Sequence, residues 1–175
     1  MEDAFLIRRL KPWKAETRQR QIRKEKLYIR DCGILHSLLG IEDRRQLLSH
    51  PACAASWEGF ALEWIAASIG KSDVDLFHWG TSNGNVVHLV WRNEGKLWGV
   101  LLHYGCNPLL RHHVKEAVRI LGLEHLWIVH TGWRSFHMQR RVSVVPLRTI
   151  GPRWNYSRKL TRMEDSGAAA GFLVA

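Results

Sequence analysis

The strongest constraint on the fold lies between Leu76 and Gly105. "LFHWGT", "NVVHLVWR" and "KLWGVLLHYG" are short apolar runs rich in Val, Leu and aromatic residues, with turn signals at Asn83-Gly84 and Asn93-Glu94-Gly95. Runs of this kind predict three strands in an antiparallel meander. An amphipathic stretch from Pro108 to Leu121 follows, with Leu109, His113, Val114, Ala117, Val118 and Leu121 placed inward, and then the apolar runs "HLWIVHTG" and "VSVVPL". A meander followed by a helical crossover implies a mixed β-sheet with helices on its faces, an α/β fold.

Upstream, Ser56 opens the clearest helix. "SWEGFALEWIAASIG" places Trp57, Phe60, Ala61, Trp64, Ile65 and Ser68 on one side, with Ser56 as the expected N-cap and Gly70 as the stop. "KLYIRDCGILHSLLGI" suits a strand start at Leu27, Tyr28 and Ile29, then a helix capped by Asp31. "DAFLIRRLKPW" reads as a short strand or hairpin arm ending at Pro12, and "KAETRQRQIRKEK" as an exposed connection. The expected organisation is a basic arm over 1–26, an α/β domain over 27–150, and a basic then loose tail over 151–175.

The chain of 175 residues has a formal net charge of +10, unevenly spread. Residues 1–30 hold ten Lys and Arg against four acids, and 131–175 hold eight against two, whereas 31–75 hold three against seven. Basic ends of this kind suit nucleic acid phosphates, and an ordinary solvated surface is the alternative. Trp13, Trp133 and Trp154 have the basic neighbours Lys11, Lys14, Arg134 and Arg153, which makes these the candidate nucleic-acid contacts, with simple packing over a loop as the alternative; Trp57, Trp64, Trp98 and Trp127 fall in apolar runs and are expected in the core. No run approaches ~18 uncharged apolar residues, and the N-terminus lacks the charge order of a secretory signal. Cys32, Cys53 and Cys106 have no paired spacing. A reduced, cytoplasmic protein without a membrane span is the expectation.

Several segments together carry a family resemblance. They are "EDAFLIRRLKPW" at 2–13, "KLYIRDCGILHSLLGI" at 26–41, "LLSHPACAASWEGFALEWI" at 47–65, "FHWGTSNG" at 77–84, "GKLWGV" at 95–100, "VKEAVRILGLEHLWIVHTG" at 114–132 and "VVPL" at 144–147. This text resembles the C-terminal domain of unknown function attached to a large group of prokaryotic AAA-type ATPases. The resemblance implies a restriction-endonuclease-like PD-(D/E)XK core.

It also implies where a catalytic centre would stand. The family shows two acids on the first hairpin strand, and Glu, an apolar residue and Lys on the second. Carboxylates there hold Mg²⁺, and metal and lysine activate water and stabilise charge on phosphate. Aligned on Gly84 and "GKLWGV", the two acidic positions are Val86 and His88, and the Glu and Lys positions are Leu101 and His103. Glu58 on the "SWEGF" helix is retained. One carboxylate holds a hard divalent ion poorly, so no Mg²⁺-dependent nuclease activity is expected. Nor does any GxxxxGK[ST] run occur, so the ATPase half implied by the resemblance is missing, and the chain is expected to be a fragment or a free-standing degenerate copy.

Three functions follow as expectations. The first is a catalytically degenerate nuclease-fold module contacting a partner protein or its own copies. The second is a nucleic-acid-binding module using the basic ends and the former cleft. The third is a hydrolase with a zinc site built on His88 and His103, completed by Glu58 or His78. The plainer reading of the two histidines is polar substitution at a site no longer under chemical demand. His36 reads as a satisfied structural residue, Cys106 as a surface thiol, and Glu58 and Glu63, five apart, as residues of different helix faces.

Overall fold

A computed structural model describes residues 6–71, 73–108, 112–152 and 154–157. Its elements are β1 (Ile7–Pro12), β2 (Lys26–Ile29), α1 (Cys32–Leu38), α2 (Arg44–Ser49), α3 (Cys53–Ile69), β3 (Phe77–Gly80), β4 (Val86–Asn93), β5 (Lys96–His103), α4 (His112–Leu121), β6 (His125–His130), β7 (Phe136–Gln139) and β8 (Val142–Pro146). Eight strands form one mixed sheet in the order β2-β1-β3-β4-β5-β6-β8-β7. β3, β4 and β5 are the expected antiparallel meander, and β6 returns parallel to β5 after the α4 crossover. β8 continues parallel to β6, and the four-residue β7 pairs antiparallel with β8 at the edge. "FHMQ" escapes sequence reading because so short a run has too few alternations to stand out from a loop.

The meander turns form as their chemistry dictates. Glu94 and Gly95 take positive φ values of 50° and 73° between Asn93 and Lys96, the backbone a two-residue hairpin turn of right-handed strands requires. Glycine accepts that conformation at no steric cost, and the exposed Glu94 adopts it beside it.

Two apolar layers sandwich the sheet. On one face α3 lays Ala61, Leu62, Ile65, Ala66 and Ile69 against Leu89, Trp91, Trp98, Val100, Leu102, Trp127 and Val129. On the other, α4 lays Val114, Ala117, Val118 and Leu121 against Val87, Val90, Leu126 and Ile128. Leu62 and Ile65 are fully buried, each stabilising by ~1.5–3 kcal/mol relative to an exposed position. At Gly99 the strands and the Leu123 loop close in so tightly that an added Cβ would meet Val87, Leu123 and Leu126 at 3.0–3.1 Å.

Four expectations change at this level. The α3 helix begins at Cys53 rather than after Ser56, because Ser56 is buried inside it with its Oγ 2.7 Å from His36 Nε2. Its inward face is turned relative to the expected one: Phe60 and Trp64 are 43% and 42% exposed, and Trp57 is half-buried, while Leu62, Ala66 and Ile69 face the sheet. Trp64 is thus not a fully buried core residue; its indole N–H donates to the carbonyl of Ile150. His113 is exposed rather than inward, and Leu109 lies outside the described residues.

The sheet also crosses the boundary expected at residue 26. β1 pairs antiparallel with β2 and parallel with β3, and Leu10 is fully buried in the α3-side core. Arg8, 4% exposed, donates to Glu63 on α3 at 2.9 Å and to Asp73 at 2.6 Å, tying β1 to the helix layer. At the other boundary Trp154 and Tyr156 pack on the same core, edge-on to Trp127 and Trp91 respectively.

Candidate functional site

The central event is a β-bulge. Phe77 pairs with Val90 and Trp79 with Val87, so β3 advances two residues while β4 advances three. The extra residue breaks the alternation of β4, and bulges re-aim side chains in this way. Leu89 belongs to the α3-side core and Val87 to the α4-side core, and His88 between them meets Glu58 of α3. Leu101 and His103 on β5 point to the other face, where they line a cavity of about 300 Å³ with Val86, His113, Val114 and Ile128.

The five positions singled out from sequence therefore separate. Glu58 and His88 come together; Val86, Leu101 and His103 share a different cavity. Strict alternation would have put His88 beside Leu101, its nominal partner, but regular β4–β5 pairing runs only from Asn93↔Lys96 to Leu89↔Val100. On the α3 face, β5 offers the aliphatic Val100 and Leu102. His88 and His103 are not brought together as metal ligands, and among the described residues no three His, Cys, Asp or Glu side chains are gathered to hold a metal ion.

His88 is held in one tautomer. Its Nδ1 accepts the Leu102 N–H at 3.1 Å, so the proton sits on Nε2, which stands 3.8 Å from Glu58 Oε2. Burial, followed by the positive charge of Lys26 and by His78, pushes its pKa down to about 3. Glu58 has its carboxyl raised above the usual range by burial, partly offset by Lys26. Lys26 in turn is lowered by burial, partly offset by Glu58. Tyr28 is pushed up to about 12 by burial and by the Glu58 charge. His78, fully buried, donates from Nε2 to the Lys24 carbonyl at 3.0 Å and is lowered mainly by burial.

This is a desolvated polar cluster in which burial works against the charged form of each of these five groups. It holds one carboxyl group (Glu58), two imidazoles (His88 and His78), one phenol (Tyr28) and one amino group (Lys26). A hard divalent cation needs several oxygens, and the cluster supplies Glu58 and the Tyr28 hydroxyl. Lys26 and Tyr28 were not singled out from the sequence, although alternate residues of a strand share a face and the pair was legible in "KLYI" once β2 was placed.

The α4-side cavity has its own polar rim. His113 Nδ1 donates to Asn85 Oδ1 at 3.1 Å, and the buried Asn85 donates to Gln19 Oε1 and Glu116 Oε2 at 3.0 and 3.1 Å. The hydrogen bond from Asn85 holds the Glu116 carboxyl below its usual range. This network fastens the connection after β1 onto α4.

The candidate nucleic-acid contacts do not form one surface. Trp13 is half-buried, edge-on to Phe77 at 5.2 Å, with the Arg92 guanidinium 5.6 Å from its ring centre. It lines a groove with Lys14, Arg92 and Lys96, where Glu16 and Glu124 also stand. Lys11 is exposed on β1. Arg134 follows β6 at the opposite end of the parallel β5–β6 pair, beside Trp133, which is 76% exposed. Trp154 packs on the core, and Arg153 lies outside the described residues. Cys106 is exposed and free, and His36 is satisfied by Ser56. No helix among the described residues is long and apolar enough to cross a membrane.

Residues 1–45 match a family described as Domain of unknown function (DUF8612). An uncharacterized protein of Mycobacterium tuberculosis and one of Mycobacterium bovis are each 37% identical over 146 residues, 83% of this chain and 33% of theirs. The chain therefore spans about a third of the length of the curated relatives it matches. No solved structure matches it.

Proposed function

We propose that this chain is a catalytically degenerate module with a restriction-endonuclease-like core, drawn from an ATPase-associated family and acting as an interaction or accessory domain. The order α3-β3-β4-β5-α4-β6 supports the core assignment, since it reproduces a helix, a three-strand meander, a crossover helix and a parallel strand. One observation carries the functional reading: the positions aligned with metal-binding acids are split between two faces, and His88 is turned by a bulge onto Glu58. A kept framework with a dispersed constellation fits binding rather than phosphodiester chemistry. Calorimetric titration with Mn²⁺ tests this. The expected result is no stoichiometric heat; a saturable site lost in Glu58→Ala would overturn the reading.

The basic charge of both ends favours a second reading, a module that binds nucleic acid without cutting it. Retention of labelled DNA or RNA that weakens steeply as salt rises is its expected signature, and no retention at low salt would remove it.

A further inference from the structure

The parallel strands bring several unassigned side chains to one edge of the sheet. β3, β5, β6 and β8 all point the same way, so the residues after their carboxyl ends lie along a single edge. Such edges are where open α/β sheets bind ligands. After β3, the connection at 17–24 runs back beside Thr81 and Ser82, with Gln21 bridged to Thr81 and the Ser82 N–H on the Arg20 carbonyl. It forms a groove of about 660 Å³ lined by Arg20, Arg23, Lys24, Thr17, Gln19 and Ser82. After β5 come His103 and the 300 Å³ cavity. After β6 and β8 comes a groove of about 350 Å³ lined by Trp57, Phe60, Trp64, His130, Leu147 and Arg148.

Charge separates this edge from the other one. Among the described residues, the 660 Å³ groove is lined by cations, the 300 Å³ cavity by the imidazoles of His103 and His113, and the 350 Å³ groove by Arg148 and His130, with no Asp or Glu in any of the three, whereas the groove around Lys14 at the β4–β5 turn contains Glu16 and Glu124. Glu116 meets the connection at Gln19, where Gln19 and Asn85 engage both its oxygens. The far end adds flat aromatic surface. Phe60 and Trp64 stack with an interplanar angle of 28° and each is over 40% exposed. The Arg148 guanidinium lies 3.5 Å over the ring of the exposed Trp133 and donates to its carbonyl. From β3 to β8 is four interstrand steps of ~4.8 Å, about 19 Å.

We infer that this edge is a track for single-stranded nucleic acid, with Arg20, Arg23 and Lys24 holding backbone phosphates and Trp64, Trp133 and Arg148 receiving unstacked bases. Cations alone would suit any phosphate backbone. Exposed aromatic faces suit bases that are free to stack, which those of a duplex are not. The inference deepens the nucleic-acid reading and is independent of catalytic silence.

Fluorescence anisotropy with a labelled oligothymidylate, free or annealed to its complement, tests it. The free strand is expected to bind more tightly than the duplex. Trp133→Ala and Trp64→Ala should each weaken it about five-fold or more, the low end of a lost base stack. Arg20→Ala and Arg23→Ala should each reduce the slope of log K against log salt by about 0.7. Trp133 is mostly solvent-exposed, so its variant keeps the test alive if Trp64→Ala misfolds. Equal or tighter duplex binding, or losses confined to Lys11→Ala and Lys14→Ala, would overturn the track while leaving nucleic-acid binding intact. No binding of either probe at low salt would overturn both.

Discussion

His88 Nε2 faces Glu58 Oε2 across 3.8 Å while His88 Nδ1 takes the Leu102 N–H. The imidazole is fixed neutral by a backbone donor on one side and by desolvation all round, with its pKa pushed down to about 3 from 6.5. Because the folded pKa lies below the unfolded one, the stability it contributes is complete above pH 6.5 and is lost as pH falls from 6.5 toward 3. Glu58, with its carboxyl raised, bends the profile the other way, so the proper comparison leaves Glu58 in place. Denaturant unfolding of the wild type and His88→Gln should diverge across that window, the wild type losing roughly 1 kcal/mol per pH unit relative to the variant. Parallel profiles would contradict the buried, neutral histidine.

The division of the aligned positions between two faces has a thermodynamic signature. His88 sits in the Glu58 cluster and His103 lines the cavity on the other face, so His88→Ala and His103→Ala should be additive within about 0.5 kcal/mol in a double-mutant cycle. His88 and Glu58 share one cluster and should couple beyond that limit. A strong His88–His103 coupling, or a zinc site lost in both single variants, would bring the two histidines together against the geometry.

β1 belongs to the cooperative fold. Leu10 is fully buried against α3, and truncation to Ala should cost about 2–5 kcal/mol in urea unfolding. A change within about 0.5 kcal/mol would mean that β1 is an appendage outside the cooperative fold.

The legible parts of this protein were those governed by local rules. Asn93-Glu94-Gly95 announced its hairpin, Val114, Ala117, Val118 and Leu121 announced the buried stripe of α4, and His36 found its hydroxyl partner. What escaped depended on relations between elements. α3 is apolar on nearly every side, so the stripe through Trp57, Phe60 and Trp64 had a rival through Leu62, Ala66 and Ile69, and the sheet it packs on decided between them. Arg8 read only as one charge of a basic arm because its partners, Glu63 and Asp73, lie far along the chain. The bulge at His88 was invisible for the same reason: "VVHLV" alternates well enough on paper, and the extra residue appears only when β4 is laid against β3.

The proposed reading is of a nuclease-like framework without metal-dependent phosphodiester chemistry. Single-turnover assays with protein in excess over labelled single-stranded DNA, duplex DNA and RNA, in Mg²⁺ or Mn²⁺, test it most directly. No cleavage above the protein-free blank is expected for any substrate. Metal-dependent cleavage that disappears in Glu58→Ala would contradict it.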